Sequence, residues 1–131
     1  MNIYNENRMY IVAGDEMEKL MNEKYSSRNV IPFREDFSKG EYNGFDFDSK
    51  FIANRSSFWN VSENEYIQKM SPIINRDLSK DYILCFGDDD CCKANLSFMI
   101  GVLKSRGYLK PIKVLIVDEY NLTVLRDYII N

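Results

Sequence analysis

The run "DYILCFG" at positions 81–87 constrains the fold more than any other feature of this 131-residue sequence. From Tyr82 to Phe86 it is apolar, without the alternation of polar residues that a half-exposed strand shows. Apolar residues at every position suit a strand that is covered on both faces. The run therefore predicts a central strand between two layers of helices, as in α/β domains.

Other segments repeat this alternation of strands and helices. Helix-like spacing follows the first strand, Asp48 is expected to cap a helix at 48–59, and Ser62 opens a capping box. Ser71-Pro72 is expected to start a new helix, because proline suits a first turn and disrupts an interior. A helix at 89–107 has a wide apolar face. The predicted strands lie at 9–13, 28–33, 81–87 and 112–118.

This order predicts one domain over residues 1–131, with α/β architecture. We expect a single three-layer, Rossmann-like domain with a mostly parallel sheet of four to five strands. The C-terminal tail element at 118–131 fits either a helix or an edge strand.

Composition excludes several classes of protein. The sequence has no histidine, which excludes a Ser-His-Asp triad, a Cys-His dyad and a zinc site with histidine ligands. The net charge of −3 makes binding to double-stranded nucleic acid unexpected. No apolar run approaches the ~20 residues that span a bilayer. An N-terminus without a signal-like pattern and an odd number of cysteines favour a cytoplasmic location.

Polar residues gather where the predicted strands end. Strand one leads to Gly14 and Asp15, and strand three leads to the run Gly87-Asp88-Asp89-Asp90. The loop after strand two contains Arg34, Glu35, Asp36 and Ser38. In open parallel sheets, ligands bind beyond the carboxyl ends of the strands, so these groups are expected to share one edge.

Each aspartate also has a simpler interpretation. Asp15 and the aspartates at 88–90 precede helices, where aspartate is a favoured N-cap. Three aspartates in a row exceed what capping needs, and packed like charges raise each other's pKa values. The sequence leaves a ligand-binding edge and a solvated turn open.

Two other side chains are candidates for ligand contact. Arg55 could balance charge or hold an anion, but it could also be a surface arginine or form an internal salt bridge to one of these aspartates. Trp59, the only tryptophan, could stack on a planar ligand or fill the core. Cys91 lies at a helix N-terminus, which lowers a thiol pKa, but nearby carboxylates raise it and no histidine can act as base.

Four segments resemble the bacterial domain-of-unknown-function 1835 family: "YIVAGD", "VIPFREDFSKG", "NRSSFW" and "YILCFGDDDCCKANLSFMIGVL". The resemblance covers roughly residues 9–117 and implies an α/β fold. Phe86 departs from it, standing where tryptophan is frequent. The family's activity is not established, so the resemblance implies the position of a site and not its chemistry. It implicates these residues: Asp15, Asp36, Ser38, Gly40, Arg55, Trp59, Asp88 and Asp89.

Three functional hypotheses follow from the sequence. The first is binding of a small polar, nucleotide-derived ligand at the carboxyl rim of the sheet, for example to sequester a signalling molecule as a phage-type counter-defence protein. The second is a Mg²⁺-dependent hydrolase or transferase that uses the aspartates; Mg²⁺ is the one cofactor considered. The third is an acidic module that binds a protein partner, and a homodimer is also open. The expected ligand contacts are Gly14, Asp15, Arg34, Asp36, Ser38, Arg55, Trp59, Gly87, Asp88 and Asp89.

Overall fold

A computed structural model describes residues 7–25 and 29–131 of the chain. These ranges contain five strands and four helices. Residue 28, the start of the predicted second strand, lies outside them. In chain order the elements are β1 (Arg8–Val12), α1 (Asp15–Tyr25), β2 (Val30–Pro32), α2 (Ser49–Trp59), α3 (Glu63–Ile74), β3 (Asp81–Phe86), α4 (Asp90–Ser105), β4 (Ile112–Val117) and β5 (Val124–Ile130).

The five strands form one sheet in the order β2-β1-β3-β4-β5. The pairs β2–β1, β1–β3 and β3–β4 are parallel, and β4–β5 is antiparallel. The sheet is therefore mixed, and the prediction of a mostly parallel sheet is wrong. The C-terminal tail, which the sequence left open, returns as an antiparallel edge strand because a short turn, and no crossover helix, joins it to β4.

The central position of β3 confirms the prediction made from its apolar run. All its residues from Tyr82 to Phe86 are buried, and parallel strands flank it on both sides. Register pairs Cys85 with Val12 of β1 and with Leu115 of β4.

Helices cover both faces of the sheet. Met17 and Met21 of α1 pack with Val12, Cys85 and Val117 on one face. The larger core lies on the other face, where α2, α3 and α4 pack against alternate strand residues. Since neighbouring residues of a strand point to opposite faces, the two clusters lie on opposite sides of the sheet.

Helix ends follow the predicted capping residues in two cases and depart from prediction in one. The Asp48 carboxylate accepts a hydrogen bond from the Phe51 N–H (2.8 Å), and the Ser62 hydroxyl accepts one from the Glu65 N–H (3.1 Å). The predicted helix break at Pro72 is wrong, because α3 continues through it. Proline occupies the last turn, where the helix loses one hydrogen bond and still buries Ile73.

The connections that follow β1 and β3 run in opposite directions along the sheet. From β1 the chain crosses to β2 through α1, on one face. From β3 it crosses to β4 through α4, on the other face. In open α/β sheets, the carboxyl ends of strands whose connections diverge in this way are where ligands usually bind. Within the described ranges, no helix is both long enough and apolar enough to cross a membrane.

Candidate functional site

The candidate site lies at the carboxyl ends of β1, β3 and β4. The parallel register brings the ends of these strands to one edge of the sheet. Gly14 and Asp15 follow β1, and Gly87 and Asp88 follow β3. Strand β4 adds Glu119 to the same edge. We call this region, with the loop that follows β2, the carboxyl edge.

The three consecutive aspartates have three different environments. Asp88 forms an exposed ion pair with Arg126 of β5, which holds the pKa of Asp88 below its usual range. Asp89 is the N-cap of α4, and its carboxylate accepts a hydrogen bond from the Cys92 N–H (2.7 Å). Asp90 lies exposed in the first turn of α4. The capping interpretation is therefore confirmed for Asp89.

Glu119 completes a cluster of carboxylates that the sequence analysis did not anticipate. Its carboxyl group is hydrogen-bonded to Asp89, and the Cys92 thiol donates to its Oε1 at 3.2 Å. Gly87 makes this approach possible, because a Cβ there would overlap the Glu119 carboxyl group. By contrast, a Cβ at Gly14 would meet open space.

Asp89 and Glu119 shift each other's pKa values in opposite directions. The hydrogen bond from Asp89 raises the pKa of Glu119, while the Cys92 N–H lowers the pKa of Asp89. As the pH falls, Glu119 is therefore the member of the pair that takes up a proton first. Within the described part of the chain, no basic side chain forms an ion pair with either carboxylate.

Asp36 brings a third carboxylate from the loop after β2. It accepts hydrogen bonds from the N–H and hydroxyl of Ser38 and from the Cys91 thiol. Asp36 also lies close enough to Asp89 to influence its ionisation. We call Asp36, Asp89 and Glu119 the carboxylate cluster.

The thiols are poorly suited to nucleophilic catalysis. Burial, together with a hydrogen bond to Asp36, raises the pKa of Cys91 to about 12. Burial alone raises the pKa of Cys85 to about 12, and burial with Glu119 raises the pKa of Cys92 as well. All three are therefore neutral thiols near pH 7, and the neutral thiol is a weak nucleophile.

Arg55 is enclosed by protein and is not accessible to a ligand at the carboxyl edge. It is fully buried, and its Nε and Nη2 donate to the two oxygens of Glu35 at 2.9 and 2.8 Å. Its other N–H groups donate to the backbone carbonyl oxygens of Asp36, Lys39 and Glu41. Since every donor is used, Arg55 has none left for the predicted ligand contact. The salt bridge that it forms is internal, but its partner is Glu35 and not one of the aspartates that the sequence analysis considered.

Trp59 and Arg34 lie close together, with Trp59 at the end of α2 and Arg34 in the loop that follows β2. The Trp59 indole donates to Glu35 (2.7 Å), and the ring is half-buried. Arg34 forms an exposed ion pair with Asp15 (2.8 Å). The structure thus divides the predicted contacts into a carboxylate group and a separate pair around Trp59.

The sequence analysis missed two residues that organise this region, Asn95 and Glu119, and the role of a third. It placed Glu35 at the shared edge, whereas Glu35 is the buried acceptor for Arg55, Trp59 and Tyr66. Asn95 of α4 bonds the backbone of Glu35 and Phe37. Glu119 could have been found by the rule applied to the other strands, since it also follows the end of a parallel strand.

Comparisons with known proteins give no match. No family model matches the chain, and the searches of curated proteins and of solved structures found none either. The resemblance to the domain-of-unknown-function 1835 family therefore stays a prediction.

Proposed function

We propose that the chain binds a small polar ligand at the carboxyl edge, with hydroxyl or amino groups of the ligand facing the carboxylate cluster. The observation that carries this proposal is the convergence of Asp36, Asp89 and Glu119 from three separate elements. Their hydrogen-bonding capacity exceeds what the protein itself uses, and carboxylates accept hydrogen bonds from ribose hydroxyls and amines.

The position of the cluster supports the same proposal. In the Rossmann-like arrangement that we propose for this domain, ligands bind where the connections diverge, and β1 and β3 end at such a point. A ribose with two neighbouring hydroxyls suits paired carboxylates, which favours a nucleotide-derived ligand. With such a ligand, the protein could act by sequestering a signalling molecule, which requires binding alone and no catalytic nucleophile.

A divalent cation is a second candidate ligand for the same cluster. One ligand atom each from Asp89, Cys92 and Glu119 lies within 4.8 Å of the others. Hard cations such as Mg²⁺ prefer oxygen, and the Cys92 thiol would have to lose its proton to bind a softer metal. The hydrolase or transferase hypothesis depends on such an ion.

Thermal unfolding against a panel of compounds tests the proposal. The panel contains nucleosides, cyclic nucleotides, ADP-ribose derivatives and polyamines, each with and without Mg²⁺. A ligand at ~100 times its dissociation constant should stabilise the fold by roughly 2.7 kcal/mol. Stabilisation by Mg²⁺ alone would favour the metal-dependent hypothesis.

Two variants and one matched control locate the effect. Asp89→Asn and Glu119→Gln should each reduce the stabilisation, while Asp77→Asn, at the opposite edge of the sheet, should keep it. A panel without any stabilising compound would contradict the proposal and favour the protein-partner hypothesis. Equal stabilisation of all the variants would place the ligand elsewhere.

A further inference from the structure

A separate cavity of about 280 Å³ opens beside the carboxyl end of β2. It shares Asp36 with the carboxylate cluster and is otherwise built from different elements. We call it the Trp59 cavity. Its lining residues are Phe33, Arg34, Glu35, Asp36, Trp59 and Lys69.

The apolar wall of the Trp59 cavity is rigidly placed. The only polar atom of the Trp59 side chain, Nε1, donates to the buried carboxylate of Glu35 at 2.7 Å. Phe33, which is almost fully buried, forms the other apolar part of the lining. The cavity is therefore lined by fixed aromatic surfaces, which suits a flat, apolar ligand body.

Most charges around the cavity are already compensated. Arg55 neutralises Glu35 through two hydrogen bonds. Arg34 pairs with Asp15 through Nε only, so its two terminal amino groups have no partner within the described residues. These groups can still donate to an anion.

Lys69 contributes the uncompensated charge. Glu65 lies one helical turn before it, in the order that favours a Glu–Lys ion pair, yet no such pair forms in the described structure. The half-buried Lys69 instead places its Nζ over the Trp59 ring, 5.9 Å from the centroid. Asp36, the remaining charged residue of the lining, pairs with Lys39 (4.0 Å), so Lys69 gives the cavity an excess positive charge beside the fixed indole.

We propose that the Trp59 cavity binds a small planar anion, a flat ring bearing one carboxylate, with the ring against Trp59 and the carboxylate between Lys69 and Arg34. Both parts of the ligand are needed in this arrangement. The indole provides the contact for the ring, and the two cations provide charge-assisted hydrogen bonds. This site does not depend on the carboxylate cluster.

Tryptophan fluorescence gives a direct test, because Trp59 is the only tryptophan in the chain. The purified protein is titrated with sodium benzoate at constant ionic strength, and with benzamide as the uncharged planar analogue. Benzoate should change the emission saturably and benzamide should not. In Lys69→Met and in Arg34→Gln, the dissociation constant for benzoate should rise about tenfold, because each change removes a charge-assisted hydrogen bond.

Two control variants make the result specific. Lys50→Gln removes an exposed lysine of α2 and should bind benzoate like the wild type. Glu119→Gln should also bind it normally, which separates this site from the carboxylate cluster. Thermal unfolding of each variant checks that it is folded.

Several results would overturn the proposal. They are the absence of a saturable benzoate response, equal binding of benzamide, or unchanged benzoate affinity in both folded cation variants. Equal weakening in Lys50→Gln would point to a general effect of charge, and loss of binding in Glu119→Gln would place benzoate in the carboxylate cluster.

Discussion

Glu35 is the residue on which the geometry of the loop after β2 depends. Its carboxylate is fully buried and accepts hydrogen bonds from Arg55, Trp59 and Tyr66. Burial alone would raise the pKa of Glu35, but these hydrogen bonds and the charge of Arg55 hold it below the usual range. Arg55 in turn binds three backbone carbonyls of the loop, so the ion pair fixes the chain that carries Asp36.

Glu35→Gln should therefore lower the free energy of unfolding by about 3–5 kcal/mol, because it leaves the Arg55 charge buried and uncompensated. Urea unfolding at neutral pH measures this loss. Glu41→Gln is the matched control, since the Glu41 side chain is exposed, and it should stay close to wild type.

The Glu35–Arg55 ion pair also predicts how the stability of the protein changes at acidic pH. A carboxylate with a lowered folded pKa stabilises the protein above its unfolded pKa, and this contribution is lost as the pH falls towards the folded pKa. The difference in stability between wild type and Glu35→Gln should thus narrow as the pH falls below ~4.3. A difference that stays constant down to strongly acidic pH would contradict the lowered pKa.

For Glu119 we expect the opposite dependence of stability on pH. The interaction with Asp89 raises the pKa of Glu119, so the stability that protonated Glu119 contributes is present at lower pH and is lost as the pH rises through the folded pKa. Glu119→Gln keeps a donor for Asp89 and removes the titrating group. Melting temperatures measured from pH 4 to 8 should fall less steeply with rising pH in this variant than in wild type; parallel curves would contradict the raised pKa of Glu119.

At the scale of elements, capping residues were readable from the sequence and the end of α3 was not. Asp48, Ser62 and Asp89 cap helices because a short polar side chain stands just before an apolar, helix-like segment. Pro72 usually signals a boundary, but burial of Met70 and Ile73 on one helix face outweighs the loss of a hydrogen bond near the end.

Pro72→Ala should raise the stability of the protein by about 1–2 kcal/mol, because it restores a helical hydrogen bond. The gain is not larger, since alanine also makes the unfolded chain more flexible. Denaturant unfolding measures the change. Ser62→Ala, which removes the cap at the other end of α3, should lower stability by about 1 kcal/mol in the same assay. A loss of stability in Pro72→Ala would show that proline itself is needed for the packing of the last turn.

The loop after β2 could not be predicted from its polar composition. Its aromatic residues pack onto α4, where the Phe37 and Phe98 rings stack with centroids 3.8 Å apart. Asn95 ties the loop backbone to the same helix. Nothing in the local sequence shows which distant helix these residues meet, so the buried role of Glu35 and Arg55 also stayed hidden.

At the scale of the whole molecule, the apolar run of β3 predicted the layered α/β architecture correctly. The antiparallel edge strand β5 was not predicted, because the apolar residues of 118–131 show no clear helix or strand periodicity. Once the chain turns back as β5, no crossover helix follows β4, and the side chains of β5 stay exposed up to Ile129. The position of the carboxylate cluster depended on the parallel order of β1, β3 and β4, which only the assembled sheet gives.

Protection from hydrogen exchange should follow this architecture. Amides of β3 should exchange slowest, because the strand is central and buried, and those of β5 should exchange fastest among the strands. Mass-spectrometric hydrogen exchange measures the order. Slow exchange in β5 at low protein concentration would contradict it.

The most direct test of the central claim is amide chemical-shift mapping by NMR, with the panel compound that stabilises the protein most. Binding at the carboxyl edge should shift the amides of residues 36–38, 87–92 and 118–120 together, since they surround the carboxylate cluster. The same titration of Glu119→Gln should give smaller shifts at equal ligand concentration. Shifts confined to the opposite edge of the sheet, around Asp81 and Lys113, would contradict a ligand site at the carboxyl ends of the strands.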